Sequence, residues 1–418
     1  MASYCIFENR FAATITRAYD GPDRLTQEQV VQGATTLGTV NYTYDTASRH
    51  ATMTVSGQSQ VTYTWDNANR LTQVAQGSVS VGFTYDNANR RATLTLPNGI
   101  IATYTYDVAS QLTQLSYDNG TTNVGTLTYN YDNASRITSR AGTLFQSVLP
   151  AAVASTGYNA GNQLTQWGSA SPTYDLNGNL TSDGINSYTW DARNRLTALT
   201  GIASFVYDGS GRRQSLTEGS TTLTSVYDGY DPVQEQSGGS VLANLLTGLG
   251  IDERFIRTES STTSTFLFDA LGSTVALTNS SAAVQTSYSY DPYGVTSTSG
   301  SASDNPYQFT GRQNDGTGLY YYRARYYNPA WGRFISEDPA QFRSGINLFA
   351  YAYGNPLTFT DPTGEGSIGN WLRTCGIIIG LATPGSGDNP PSAIGNEPSP
   401  VPIVEPMRPA SGQGPKPK

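Results

Sequence analysis

One short pattern returns about every 20 residues along the first half of this chain, and no other feature constrains the fold as strongly. Two aromatic residues flank a small polar one, an aspartate follows, and an arginine stands four places further on. It reads Tyr42-Thr-Tyr44-Asp45…Arg49, Tyr63-Thr-Trp65-Asp66…Arg70 and Phe83-Thr-Tyr85-Asp86…Arg90. Further copies are Tyr104-Thr-Tyr106-Asp107…Gln111, Tyr129-Asn-Tyr131-Asp132…Arg136 and Tyr188-Thr-Trp190-Asp191…Arg195. Asp45, Asp66, Asp86 and Asp107 are 20 or 21 residues apart. A fixed period of that size means one supersecondary unit stacked on copies of itself, so function belongs first to an array.

Within each copy, alternating residues such as Tyr63, Trp65, Leu71 and Val74 lie on either side of a polar loop, Asp66-Asn-Ala-Asn69. Alternation at period two predicts half-buried strands. Asp and Asn side chains hydrogen-bond the local backbone and tolerate left-handed conformations, so the loop predicts a tight reversal. Each period therefore reads as a hairpin of two strands of six or seven residues. The same Asp-to-Arg offset occurs at Asp20/Arg24 and Asp208/Arg212. Across a hairpin loop it brings a carboxylate to a guanidinium, which predicts a structural pin rather than seven copies of one catalytic site. The aromatic ladder is expected to contribute more than these pairs. The pattern loosens near residue 140, with degenerate copies at Tyr158-Asn159 and Tyr174-Asp175, and revives at Tyr207-Asp208, Tyr227-Asp228, Phe268-Asp269 and Tyr290-Asp291. Residues 19–365 are expected to form one continuous sheet.

Composition excludes several classes. Only 13% of residues are charged, about half the usual share, while 28 tyrosines supply amphipathic bulk. A net charge of −8 with few basic clusters argues against nucleic-acid phosphate binding. Two cysteines, Cys5 and Cys375, and one histidine, His50, exclude a disulfide scaffold, a multi-cysteine metal site and a His-based triad. His50 reads as a strand residue. No cofactor is expected. No apolar run reaches the length of a membrane span, residues 371–382 coming nearest. No basic region followed by an apolar core marks a signal peptide at the N-terminus. The opening directly on repeats is compatible with a fragment of a longer ancestral protein.

The second half carries a longer signature. Gly318-Leu-Tyr-Tyr-Tyr-Arg323-Ala-Arg325-Tyr-Tyr-Asn328-Pro329 leads into Gly332-Arg-Phe-Ile-Ser-Glu-Asp338-Pro339. Asn347-Leu-Phe-Ala-Tyr351, Gly354-Asn-Pro356 and Asp361-Pro-Thr-Gly364 come next. The repeats resemble the YD repeats of the RHS family, bacterial relatives of the teneurin shell. The signature resembles the RHS repeat-associated core, so the likeness spans some 350 residues. It implies an all-β fold, a spiralling antiparallel sheet forming a hollow or partly open shell around a C-terminal cargo. The implied divisions are a lead-in (1–18), the repeat shell (19–295), the core (296–365) and a variable Gly/Pro-rich tail (366–418). Kinship implies a place in a polymorphic toxin system, and a secreted or cell-surface location.

The resemblance also implies an aspartic self-protease: Asp338 and Asp361 as the pair, Arg325 as the supporting cation, and a cut near Glu365–Gly366. The chemistry is sound on its own terms. Two close carboxylates share a proton, so one can activate water while the other protonates the leaving group. From spacing alone, both Asp-Pro steps also read as simple turn starts. The chain departs from the Asp-Pro-x-Gly-Leu pattern of the family. Gln341 stands where Gly is usual, Glu365 where an apolar residue is usual, and Asn328 replaces a common Asp. Loss of Gly alters the backbone options beside Asp338, and an acid at the cut bond resists burial.

Residues 383–418 hold ten prolines and cannot build a sizeable core or a full toxin. Roughly 35 strands closed into a sphere would leave an inner radius of about 12 Å, that of a compact 50-residue chain. The shell is then small, open at one end, or completed by another chain or a delivery apparatus. A surface-binding role is the alternative, with aromatic faces stacking on carbohydrate or a partner; a remnant of a longer toxin is another. Open spiral edges are expected to be sticky unless covered.

Overall fold

In the computed structural model, which describes residues 4–5, 13–260, 262–366 and 368–369, the repeats are antiparallel hairpins laid side by side. A 13-stranded sheet runs in sequence order from Tyr4–Cys5 to Ile137–Ala141. A 12-stranded sheet runs from Tyr188–Trp190 to Thr296–Gly300. The strand Thr14–Tyr19, mostly within the expected lead-in, already pairs with Leu25–Gln32. The expected single continuous sheet is interrupted. Between the two large sheets lie only two short hairpins, Thr156–Tyr158 with Leu164–Trp167 and Thr173–Tyr174 with Leu180–Ser182. Strands of two to four residues offer too few ladder bonds to carry the sheet across, although the loop geometry survives there. Asn159 Oδ1 accepts the N–H groups of Gly161 and Gln163, both at 3.0 Å. The tail 383–418 lies outside the described residues.

The repeat geometry explains its composition. In the loop after Tyr63-Thr-Trp65, Asp66 Oδ1 accepts the N–H groups of Ala68 and Arg70 at 2.8 and 2.9 Å, and Oδ2 accepts from Arg70 Nε at 2.7 Å. Asn69 takes a left-handed φ of 60°, which Asn tolerates. The second aromatic of each copy stands at a break in register, between Thr64 and Trp65 for example. Its polar tip reaches back to the preceding hairpin: Trp65 Nε1 donates to His50 O at 2.8 Å, and Tyr85 Oη to Leu71 O at 2.8 Å. Arg24, Arg49, Arg70 and Arg90 then span to the next loop. Arg49 Nη1 donates to Asn69 Oδ1 at 2.9 Å with its guanidinium 5.3 Å from the Trp65 ring. Arg70 Nη1 donates to Asn89 Oδ1 at 2.9 Å, over the Tyr85 ring at 4.9 Å. One copy thus fixes both its own turn and its distance from the next. Gln111 keeps the turn, since Asp107 Oδ1 accepts its N–H at 2.8 Å, but it cannot make the charged link.

The inner faces of the two large sheets meet directly. Val74, Val81 and Leu127 of the first join Val226, Phe255 and Leu267 of the second in one apolar core. Phe83 and Phe255 lie 5.8 Å apart edge to face. Polar tips cross the seam: Tyr117 Oη donates to Phe268 O at 2.7 Å, and Tyr42 Oη to Asp228 Oδ1 at 2.8 Å. At one end Arg212, 4% exposed, pairs with Asp208 of its own loop and with Glu28 of the other sheet. Where these walls touch, side chains fill the interior.

The seam yields two expectations. Arg212→Ala leaves two buried carboxylates short of a partner and should destabilise the fold by about 3–5 kcal/mol in urea unfolding. Burial, reinforced by the charge of Glu28, pushes Asp228 above the usual carboxylate range against the opposing effects of Tyr42 and Arg212. The folded chain therefore prefers the protonated acid and loses stability as pH rises from the ordinary aspartate range through the raised value. Asp228→Asn, which keeps an acceptor for Tyr42, should gain on the wild type over that pH window and show no gain below it.

Candidate functional site

The core segment folds against the second large sheet as a four-stranded sheet of Gln313–Asn314, Tyr320–Tyr322, Arg325–Asn328 and Arg333–Phe334. Its tyrosines are buried on both faces. Tyr321 and Tyr326 pack with Phe205 and Tyr207 on one side, while Tyr320, Tyr322 and Tyr327 pack with Phe309, Phe334 and Tyr351 on the other. A strand covered on both sides holds its first residue rigidly, and that residue is Arg325.

Asp338 follows Arg333–Phe334, and Asp361 follows the short strand Phe359–Thr360. The fold brings both to the same guanidinium. Arg325 Nη2 lies 2.9 Å from Asp338 Oδ2 and 3.1 Å from Asp361 Oδ2. All three residues are at most 4% exposed. Arg325 is fixed from every direction: Nη1 donates to Leu348 O at 2.9 Å, Nε donates to Gly364 O, and its guanidinium carbon stands 3.6 Å from the centre of the Phe334 ring. Asp361 Oδ1 accepts the N–H groups of Gly364 at 2.9 Å and Gly366 at 3.1 Å. The amide of the Glu365–Gly366 bond therefore touches the aspartate directly.

Asp338 retains the turn chemistry of the repeats, whereas Asp361 accepts amides three and five places on instead of two and four. Asp338 Oδ1 accepts the N–H of Ala340 at 2.8 Å, and the residue three places on, Gln341, has a left-handed φ of 55°. Gly364, three places after Asp361, has a φ of 74°. A second difference is in the cations. Where a repeat keeps the Asp-to-Arg offset, each aspartate has its own arginine, and the amide and guanidinium of Arg49 hold Asp45 below the usual carboxylate range. At the core two aspartates share one arginine. Burial pushes Asp361 up, the charge of Asp338 adds to that, and Arg325 and two amides oppose it. Glu365 is exposed as a residue, yet partial burial of its carboxyl and the charges of Asp338 and Asp361 push it up as well. The expected clash of an acid with an apolar pocket is thus eased by access to water.

Sequence reasoning overlooks Arg312 and Arg323, both of which donate to Pro362 O. Arg323 lies within the core signature but has no acid at a fixed offset to reveal its partners. Asn328, another departure, makes a turn contact, accepting the N–H of Trp331 at 3.1 Å. Among the described residues no cluster of three His, Cys, Asp or Glu suits a metal ion, and no helix is long and apolar enough to cross a membrane.

The repeat array, the core sheet and the carboxylate pair together define an RHS-type shell. Residues 4–100 and 98–355 match the family model of the teneurin YD-shell, and the chain belongs to that family. It is 35% identical over 224 residues to the tRNA3(Ser)-specific nuclease WapA of Bacillus spizizenii, covering 50% of this chain and 10% of that protein. It is 45% identical over 80 residues to toxin subunit YenC1 of Yersinia entomophaga, covering 18% and 8% respectively. Over 60 residues it is 47% identical to toxin protein Tse5 of Pseudomonas aeruginosa, 14% of this chain and 5% of that one. The match thus spans a tenth or less of each of these relatives. Among solved structures, TcdB2-TccC3 without its hypervariable C-terminal region superposes with a TM-score of 0.66 at 18% identity, covering 85% of this chain and 24% of that chain. That likeness shows the fold.

Two glycine-type positions test the local geometry. A Cβ on Gly364 would stand 2.3 Å from Tyr322 O and 3.1 Å from Arg325 N, so Gly364→Ala should displace the loop and cost about 1–3 kcal/mol in denaturant unfolding. Gln341→Gly should instead stabilise the chain by about 1 kcal/mol, because glycine adopts the left-handed conformation without penalty. Equal midpoints for Gln341→Gly and wild type would contradict the left-handed turn beside Asp338.

Proposed function

We propose that this chain is the shell module of an RHS-type toxin-delivery protein, and that it cuts itself once at the Glu365–Gly366 bond to free the segment that begins at Gly366. One observation carries the reading. Arg325 draws Asp338 and Asp361 together while Asp361 receives the N–H of Gly366. Asp338, as the carboxylate, takes a proton from water as the water oxygen attacks the Glu365 carbonyl carbon. Asp361, as the acid, gives its proton to the Gly366 nitrogen as the C–N bond breaks, leaving a carboxyl at Glu365 and an amine at Gly366. Arg325 keeps the pair close without neutralising both members.

The toxin role is supported by family membership and by relatives whose names are those of toxins and a tRNA nuclease. An extracellular destination and a larger partner chain in a delivery assembly accord with that reading; YenC1 is called a toxin subunit, and TcdB2-TccC3 names two components. Carbohydrate binding by the repeat aromatics draws less support, because Tyr44, Trp65, Tyr85 and Tyr106 are each covered by an arginine of the preceding copy.

Intact mass under denaturing conditions tests this for the full chain beside Asp338→Asn and Asp361→Asn. Wild type should lose residues 366–418 and both variants should stay whole. The rate should fall as pH rises through the raised value of Asp361, where the acid loses its proton. An uncut wild type at every pH would retire the protease and leave the shell standing.

A further inference from the structure

The cleavage loop is held by more than Arg325. Its carbonyls are gripped in succession: Pro362 O accepts from Arg312 Nη1 at 3.2 Å and from Arg323 Nη1, Thr363 O accepts the N–H of Ala324 at 3.1 Å, and Gly364 O accepts from Arg325 Nε. Arg312 and Arg323 direct other nitrogens toward two aspartates of the second large sheet. Arg323 Nη2 lies 3.1 Å from Asp231 Oδ1 and 2.9 Å from Asp252 Oδ1, and Arg312 Nη2 pairs with Asp252. Arg254 Nη2 completes the cluster at 3.1 and 3.2 Å from the same two oxygens, while its Nη1 donates to Gly311 O at 2.9 Å. Asp252 also donates its own N–H to the Asp231 carboxylate.

This cluster of three guanidiniums and two carboxylates is at most 9% exposed at every member. Two anions cannot balance three cations, and a surplus buried charge must find dipoles. The carbonyl of Pro362 is one such dipole, and it belongs to the loop that presents the bond. Arg323 also holds a left-handed φ of 61°, a conformation that residues other than glycine rarely adopt unless the surroundings impose it. Here the imposing element is the two-residue hairpin turn Arg323-Ala324 between the paired Tyr322 and Arg325, from which the side chain reaches Asp231, Asp252 and Pro362.

We propose that Arg312 and Arg323 are positioning residues that set the register of the scissile loop and make cleavage depend on closure of the second sheet. Asp231 opens the strand Asp231–Ser237 and Asp252 precedes Arg254–Glu259, so the grip on Pro362 exists only once those hairpins are in place. The inference rests on the self-cleavage reading. Displacing a reacting bond by about 1 Å costs on the order of 100-fold in rate, and the four atoms that hold this loop leave little slack.

The test is the rate and position of self-cleavage in the full chain for Arg323→Ala, Arg323→Lys and Arg257→Lys. The last breaks the fork on Glu235, a partly buried pair in the same sheet that makes no hydrogen bond to the loop among the described residues. Arg323→Ala should slow the cut by about 10- to 100-fold and add fragments ending one or two residues away from Glu365, with the pH dependence unchanged. Arg323→Lys should restore part of the rate, and Arg257→Lys should cut at the wild-type rate and bond despite lower stability. A cut wild type with Arg323→Ala matching it in rate and bond overturns this inference alone. An uncut wild type overturns the self-cleavage reading and this inference with it. Should Arg323→Ala fail to fold, the Arg323→Lys chain decides: a wild-type rate with a single fragment mass argues against positioning, and a slowed, frayed cut supports it. In the Asp338→Asn background, faster hydrogen exchange at Gly364 and Gly366 in Arg323→Lys supports the grip, and unchanged exchange overturns it.

Discussion

The ratio of guanidinium to carboxylate at each turn is the constraint on which the rest of this molecule depends. In the copies at Asp45, Asp66, Asp86, Asp132, Asp191 and Asp208 it is one to one. Arg49 satisfies Asp45 at 2.7 Å through Nε and reaches the next loop through Nη1, so the carboxylate stays ionised and the hairpins keep a fixed spacing. In the core Asp338 keeps that turn, Asp361 accepts amides three and five places on, and a single arginine serves both. Two carboxylates beside one cation leave one negative charge uncompensated, and the proposed self-cleavage rests on that imbalance. The opposite imbalance, three cations against two anions at Asp231 and Asp252, lies just behind it and is answered partly by the carbonyl of Pro362.

Packing explains why so few formal charges suffice. The second aromatic of the copies at Tyr44, Trp65, Tyr85 and Tyr106 is stacked by an arginine and tied by its polar tip to a carbonyl of the preceding hairpin, as in Tyr85 on Leu71 O under Arg70. The first aromatic faces inward, where Phe83 meets Phe255. Aromatic area, one cation and one carboxylate thus do the work that mixed surface charge does in ordinary domains. The direct contact of the two sheets also limits what the chain can enclose between these faces.

Much of this architecture is legible in the sequence. Period-two alternation and the Asp loop predict the hairpins from Tyr42 to Arg136, because there a local signal and the tertiary structure agree. The pair Asp338 and Asp361, with Arg325, is legible only through resemblance, because spacing alone reads both Asp-Pro steps as turn starts. The sheet boundary near residue 142 escapes a reading of the repeat, since degenerate copies at Asn159 and Asp175 keep the loop bonds while losing strand length. The cluster around Asp252 is invisible to it because its members, Asp231, Arg254, Arg312 and Arg323, lie up to 92 residues apart in sequence and follow no period.

The proposed reaction is water attack on the Glu365 carbonyl directed by this aspartate pair. Refolding the denatured full chain in water enriched in oxygen-18, followed by mass analysis of the shell fragment, tests it most directly. The account predicts a fragment ending at Glu365 that carries one heavy oxygen in its new carboxyl. A fragment of that length without the label, or a cut that persists in Asp338→Asn with Asp361→Asn, would contradict it.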